Sequence, residues 1–130
     1  LEDAEQGTIV TVGNPVIPAL ADDLSVATAY GQAVQGLTRS QATAFAPDVR
    51  VNGVVPGPHE TEDLEGLLAR RVDDGEFDDL ASAWAAMLAD SPYESPGDPL
   101  DLGKMVTFLS SHHASFVTGA TVPVDGGAGV

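Results

Sequence analysis

Two runs rich in β-branched residues, Thr8-Ile9-Val10-Thr11-Val12 and Val49-Arg50-Val51-Asn52-Gly53-Val54-Val55, stand on either side of one long helical pattern. Such runs favour buried strands. Each is closed by turn residues, Gly13-Asn14-Pro15 after the first and Pro56-Gly57-Pro58 after the second. Between them Asp22, Asp23 and Ser25 offer helix caps, and Val26, Ala29, Tyr30, Ala33, Val34, Leu37 and Phe45 recur near a 3.6-residue period. That spacing predicts a long helix with these residues as its buried stripe, ended by Pro47-Asp48. Parallel strands need a long crossover, so the arrangement reads as a βαβ unit.

The rest of the chain continues the alternation. Thr61 is placed to cap a short acidic helix running to about Arg71, and Leu80, Trp84, Met87 and Leu88 mark another after the Asp73-Asp74-Gly75 turn. Asp98 followed by Pro99 is a strong helix start, with Leu102, Met105, Val106 and Leu109 as the buried stripe. Ala120-Thr121-Val122-Pro123-Val124 reads as a third strand, which Pro123 assigns to a sheet edge. The expectation is one α/β domain over residues 1–130 with about three parallel strands and flanking helices, whose first strand wants a neighbour on its open side.

Charge and composition narrow the partners. Twenty Asp and Glu against five Lys and Arg give a formal net charge of −15. Nucleic acid and anionic membranes are therefore poor partners. A halophilic source would explain the acidity, because the Debye length shrinks to about 3 Å at 1 M salt; an acidic protein of a high-GC genome is the alternative. The chain has no Cys, which excludes disulfides and thiolate metal sites. Its apolar runs are too short to span a bilayer, and Leu1-Glu2-Asp3-Ala4-Glu5 does not resemble a signal peptide, so a cytoplasmic location is expected. A start at Leu1 rather than Met suggests a processed product or a fragment.

Several of these segments resemble a known family. Gly36-Leu37-Thr38-Arg39-Ser40, Phe45-Ala46-Pro47-Asp48-Val49-Arg50-Val51-Asn52 and Pro56-Gly57 are similar to the middle of short-chain dehydrogenases/reductases. Ser115-Phe116-Val117-Thr118-Gly119 followed by Val124-Asp125-Gly126-Gly127 resembles that family's C-terminal signature. The resemblance implies the C-terminal half of a Rossmann-like doubly wound sheet, with the weakly matching region of about residues 61–95 as the variable helical substrate loop.

The resemblance also implies a chemistry. The family moves a hydride between a nicotinamide cofactor and a carbonyl or alcohol, with a Ser orienting the carbonyl, a Tyr as proton donor and a Lys four residues beyond it. A nearby cation lowers the phenol's pKa and makes proton transfer accessible. In this chain the corresponding positions are Asn14, Ala27 and Gly31. Shifting the register to make Tyr30 the donor puts Val34 at the Lys position, so Tyr30 reads first as an apolar helix residue and only weakly as a catalytic one. No Gly-rich turn of the G-x-G-x-x-G kind follows a strand and opens a helix. By resemblance Pro56, Gly57 and Thr61 are the remaining cofactor-side residues, although a strand-ending turn and a helix cap explain them without a ligand.

Other candidates are weaker. His112-His113 sits where the last helix ends, and neighbouring helical side chains diverge by about 100°, which disfavours a chelate. His59 and Glu60 read as a solvated loop, and Asp73-Asp74 and Asp78-Asp79 as solvated faces. Three functions follow. The first is a catalytically inactive homologue serving as a structural or partner subunit, in a homo-oligomer or with a full-length short-chain dehydrogenase, and needing no cofactor in isolation. The second is an NAD(P)-dependent oxidoreductase component completed by another chain or by an N-terminal segment. The third is a small-molecule binding module that uses the old cleft without chemistry.

Overall fold

The computed structural model describes residues 6–13 and 25–129. Asn14, Pro15, Asp22 and Asp23 lie outside the described residues. The elements run β1 (Gly7–Val12), α1 (Ser25–Phe45), β2 (Val49–Pro56), α2 (Glu62–Asp73), α3 (Leu80–Met87), α4 (Pro99–Ser110), a 3-10 turn (His112–Ala114) and β3 (Thr121–Val124). The sheet has the order β1-β2-β3 with both pairings parallel. The expected α/β architecture is therefore present, β2 is central, and Pro123 lies on an edge strand, where its missing N–H costs no ladder bond. Among the described residues no helix is long and apolar enough to cross a membrane.

The two faces of the sheet are covered by different helices. Thr8 and its register partner Arg50 both reach the Leu109 carbonyl at the end of α4, whereas Thr11 and its partner Gly53 meet Thr38 of α1. Positions eight and eleven differ in parity along the strand, so α4 and α1 lie on opposite faces.

α1 corrects the sequence-based stripe. Gly31, Thr38 and Ala42 are its buried residues, and Val34 is half-buried, whereas Val26 (69% exposed), Tyr30 (65%), Leu37 (52%), Phe45, Ala29 and Ala33 face outward. The reason is close approach. A Cβ on Gly53 would stand 3.1 Å from Thr11 Oγ1 and 3.6 Å from Thr38 Oγ1, so only small residues fit along the seam between α1 and β2. The larger apolar residues are displaced about a third of a turn around the helix.

β2 is the polar centre of the molecule. Asn52 is fully buried, donating from Nδ2 to the Val117 carbonyl at 2.8 Å and accepting from the Ala120 N–H at 3.1 Å. Thr118 Oγ1 accepts from the Val51 N–H, and Gly119 N–H donates to the Val51 carbonyl. The Ser115–Gly119 segment is thus tied side chain to backbone onto the middle strand. Arg50, 4% exposed, donates through Nη1 to the carbonyls of Leu109 and Val117 and through Nη2 to that of Ser111. A cation at the C-terminal end of α4 also meets the negative end of the helix dipole. Its Nε remains buried without a partner.

Residues 62–87 build a separate apolar cluster. Leu68, Ala83 and Met87 are buried, with Leu64, Leu67, Val72, Phe77 and Trp84 packed around them. Thr61 caps α2 as expected, accepting from the Leu64 N–H. Asp79 is exposed, as expected of a solvated face, and also caps α3 in a reciprocal box with Ser82. Asp98 caps α4 with Pro99 in its first turn.

Candidate functional site at the carboxyl ends of the strands

Ligands of open α/β sheets bind outside the carboxyl ends of the strands, and here those ends are drawn together by main-chain bonds. Gly13 N–H donates to the Val54 carbonyl at 2.8 Å, and Gly57 N–H to the Val124 carbonyl at 2.9 Å. A Cβ on Gly57 would stand 2.5 Å from Asp125 Cα, which accounts for glycine at this point without any ligand. Beyond β3, Asp125 Oδ1 accepts from the Gly127 N–H, and Gly126 and Gly127 turn the chain at positive φ (60° and 81°).

The positions matched to the dehydrogenase trio do not assemble a proton relay among the described residues. Asn14 lies outside them. Ala27 and Gly31 occupy the first two turns of α1, and Gly31 is buried in the seam against the sheet. Tyr30, read from the sequence as a core residue, is instead 65% exposed. On the cofactor side, Pro56 is half-buried, Gly57 is buried against β3, and Thr61 is exposed with its hydroxyl engaged in capping.

A whole dinucleotide does not fit this set. The glycines after β3 turn without opening a helix, and Asp125 stands against Gly57, so among the described residues no strand end leads through a Gly-rich turn into a helix N-terminus that could hold a pyrophosphate.

His59 is the residue that sequence reasoning placed wrongly. It is 7% exposed rather than solvated, with Nδ1 2.9 Å from the Gly57 carbonyl, while Glu60 is exposed as expected. The chain from Pro96 to Asp98 closes over it: Gly97 N–H donates to the Pro58 carbonyl, Glu60 N–H donates to the Gly97 carbonyl, and His59 and Gly97 form a parallel bridge. A Cβ on Gly97 would stand 2.8 Å from the ring's Cδ2. The readable signal was this glycine just before a helix cap, where neither turn nor cap requires one. A cavity of about 390 Å³ opens here, lined by His59, Tyr93, Asp98, Asp101 and Asp125 among others. A hydrogen bond from Lys104, reinforced by its charge, holds the Asp101 carboxyl below its ordinary value.

His112 and His113 lie in the 3-10 turn after α4, and their rings approach each other in spite of the expected divergence. Their rings lie 4.0 Å apart, tilted by 39°. Among the described residues no group of three or more His, Cys, Asp or Glu is arranged to hold a metal ion.

Comparison with known proteins extends over nearly the whole chain. The family model for enoyl-(acyl carrier protein) reductase matches residues 3–129. The oxidoreductase UcpA of Salmonella typhimurium is 32% identical over 126 residues, covering 95% of this chain and 46% of that protein. The structure of a short-chain dehydrogenase/reductase (glucose/ribitol dehydrogenase) from Brucella melitensis superimposes with a TM-score of 0.74 at 32% identity, over 95% of this chain and 45% of that one. The ligand-free aldohexose dehydrogenase of Thermoplasma acidophilum gives a TM-score of 0.81 at 28% identity, over 95% and 48%. The chain spans about half the length of the relatives it matches.

Proposed function

Because the chain belongs to the short-chain dehydrogenase/reductase family, we propose that it is a catalytically inactive member serving as a partner subunit, which docks through α1 onto a second copy or onto a full-length dehydrogenase. The observation that carries this reading is the outward stripe of Val26, Tyr30, Ala33 and Leu37, at spacings of four, three and four along one side of α1. Contiguous exposed apolar surface of this kind marks an interaction site. Charge points to the same face: α1 carries Arg39 as its single charged residue, while the chain as a whole carries −15. An approach through α1 avoids setting acid against acid.

The replaced trio supports inactivity. Ala27 has no proton to donate and Gly31 no charge to lower a neighbour's pKa, and losing general acid catalysis alone costs about 10²–10⁴ in rate. Native mass spectrometry of the purified protein, beside a Tyr30→Glu/Leu37→Glu variant, tests the proposal. Assembly by the parent and its loss in the variant are expected. A parent that remains monomeric and brings no second chain with it overturns the reading.

A second reading is favoured by the outer edge of β1, which has no strand beside it among the described residues and carries exposed Ile9 and Val12. A strand added there, from another chain or a preceding segment, would complete an NAD(P)-dependent oxidoreductase component with Pro56, Gly57 and Thr61 on its nicotinamide side. Nicotinamide nucleotide retained by the assembly in the same mass spectra distinguishes it from the first.

A further inference from the structure

At the centre of β2 stands a chemically labile pair. Asn52 is followed by Gly53, and Asn is a thermolabile side chain, most of all before a residue whose missing Cβ leaves its nitrogen unhindered. The Gly53 nitrogen attacks Asn52 Cγ, loses its proton and expels the side-chain nitrogen as ammonia. A five-membered succinimide results, which water opens to an aspartyl or an isoaspartyl linkage. The other Asn, Asn14, precedes Pro15, whose nitrogen carries no proton to lose.

The fold keeps the reacting groups apart. Gly53 N–H donates to the Ala120 carbonyl at 2.8 Å. Asn52 Nδ2, the leaving group, donates to the Val117 carbonyl at 2.8 Å, and Oδ1 accepts from the Ala120 N–H at 3.1 Å. Strand side chains stand perpendicular to the sheet, whereas the backbone N–H points to the neighbouring chain, so attack on Cγ requires these bonds to open. All three lead to Val117 or Ala120. The segment that carries them, residues 115–120, is irregular and has no buried residue, and Phe116 is wholly exposed. Its ties to Val51 are the N–H bond to Thr118 Oγ1 and the bond from Gly119 N–H to the Val51 carbonyl. A segment held by hydrogen bonds with little apolar burial opens at low cost.

We propose that Asn52 is a site of spontaneous deamidation gated by the 115–120 segment. When the segment lifts, the pair reacts. The isoaspartyl product puts an extra carbon into the backbone of the central strand, so the paired registers with β1 and β3 are not regained. Either product also loses the Nδ2 donor to Val117. A reversible opening thereby becomes an irreversible one. This chemistry is independent of the subunit reading.

The test is incubation of the full chain in mildly alkaline buffer, with and without concentrated urea, followed by mass spectrometry and chromatographic separation of the Asn52 peptide. Isoaspartate at Asn52 should form at least ~10-fold more slowly in native buffer than in urea. That ratio should match the open fraction given by hydrogen exchange of the Gly53 amide. Thr118→Val removes the acceptor for the Val51 N–H and should raise the native rate about 3- to 10-fold, the equivalent of one lost hydrogen bond. Thr118→Ser should stay near the parent, and in urea all three should react alike. Equal parent rates in native buffer and urea overturn the proposal, as does a urea-treated chain unmodified at Asn52. If Thr118→Val fails to fold, the parent's rate ratio and Gly53 exchange still decide: disagreement between them overturns the gate.

Discussion

Around β2 the buried groups are largely polar, and their partners lie far away in the sequence: Arg50 reaches Leu109, Ser111 and Val117, and Asn52 holds Val117 and Ala120. In the α2–α3 hairpin the buried groups are apolar and near in sequence, with Leu68, Ala83 and Met87 at the centre and Thr61 and Asp79 capping the helices locally. The first region demands particular residues in particular geometry, since each buried donor needs its own acceptor. The second demands only volume and hydrophobicity, so many sequences satisfy it. The signature segments Val49–Asn52 and Ser115–Gly119 contain much of the first region, and the weakly matching stretch of about 61–95 contains the second.

The largest effect should come from breaking the polar region. Arg50→Met removes the donors to three carbonyls, Leu109, Ser111 and Val117, and places an apolar chain among them. Val117 keeps its bond from Asn52, so the Leu109 and Ser111 carbonyls carry the loss; at about 1–3 kcal/mol for each buried group left unpaired, it should reach ~4 kcal/mol in urea unfolding, with the Ser115–Gly119 segment losing amide protection first. A loss below ~1 kcal/mol would mean that water serves those carbonyls and that the contrast between the regions is weaker than drawn.

Leu68→Ala sharpens the same contrast from the other side. Leu68 is fully buried at the centre of the hairpin cluster, so truncation should cost about 3 kcal/mol. Hydrogen exchange should show the loss confined to residues 62–87, with the β2 amides still protected. Equal loss of protection in β2 would show one cooperative unit in place of two differently built ones.

What the sequence revealed followed the reach of each interaction. The strands, the parallel order, the edge position of Pro123 and the caps Thr61 and Asp98 are set by residues within a few positions of one another, and all were legible. The buried face of α1 was not, because periodicity weights large apolar residues, whereas the seam is chosen by the close approach to Gly53 and selects Gly31, Thr38 and Ala42. His59 was misread for a similar reason: its burial depends on Gly97, brought across it only by the fold. The reading of Ala27 and Gly31 as the Tyr and Lys positions comes from the family resemblance, counted back from Gly36-Leu37.

A smaller effect tests that seam. Thr38 is fully buried, sharing a 2.8 Å hydrogen bond with Thr11 Oγ1 and donating to the Val34 carbonyl. Thr38→Val keeps the shape and removes the hydroxyl, so a loss of ~1 kcal/mol is expected. Thr38→Leu should cost more by overpacking the narrow gap. If Leu is the better tolerated of the two, the close approach of α1 to β2 does not govern which residues face inward.

The smallest effect belongs to Asp79, and its pH dependence identifies the cause. Backbone and side-chain hydrogen bonds from Ser82 hold its carboxyl below the ordinary value. A carboxyl whose pKa is lower in the folded than in the unfolded state binds its proton less readily when folded. Its contribution to stability is therefore complete above the unfolded value and disappears as pH falls through the lowered one. Asp79→Ala should lower the melting temperature by less than Leu68→Ala at neutral pH, and the gap between variant and parent should close in acid. Asp79→Asn retains an acceptor for the Ser82 N–H without a titrating group, so it should keep most of the stability and show no such closing. A gap that stays constant with pH in Asp79→Ala would assign the loss to the changed backbone preference and not to the carboxylate, leaving α3 held by its apolar cluster alone.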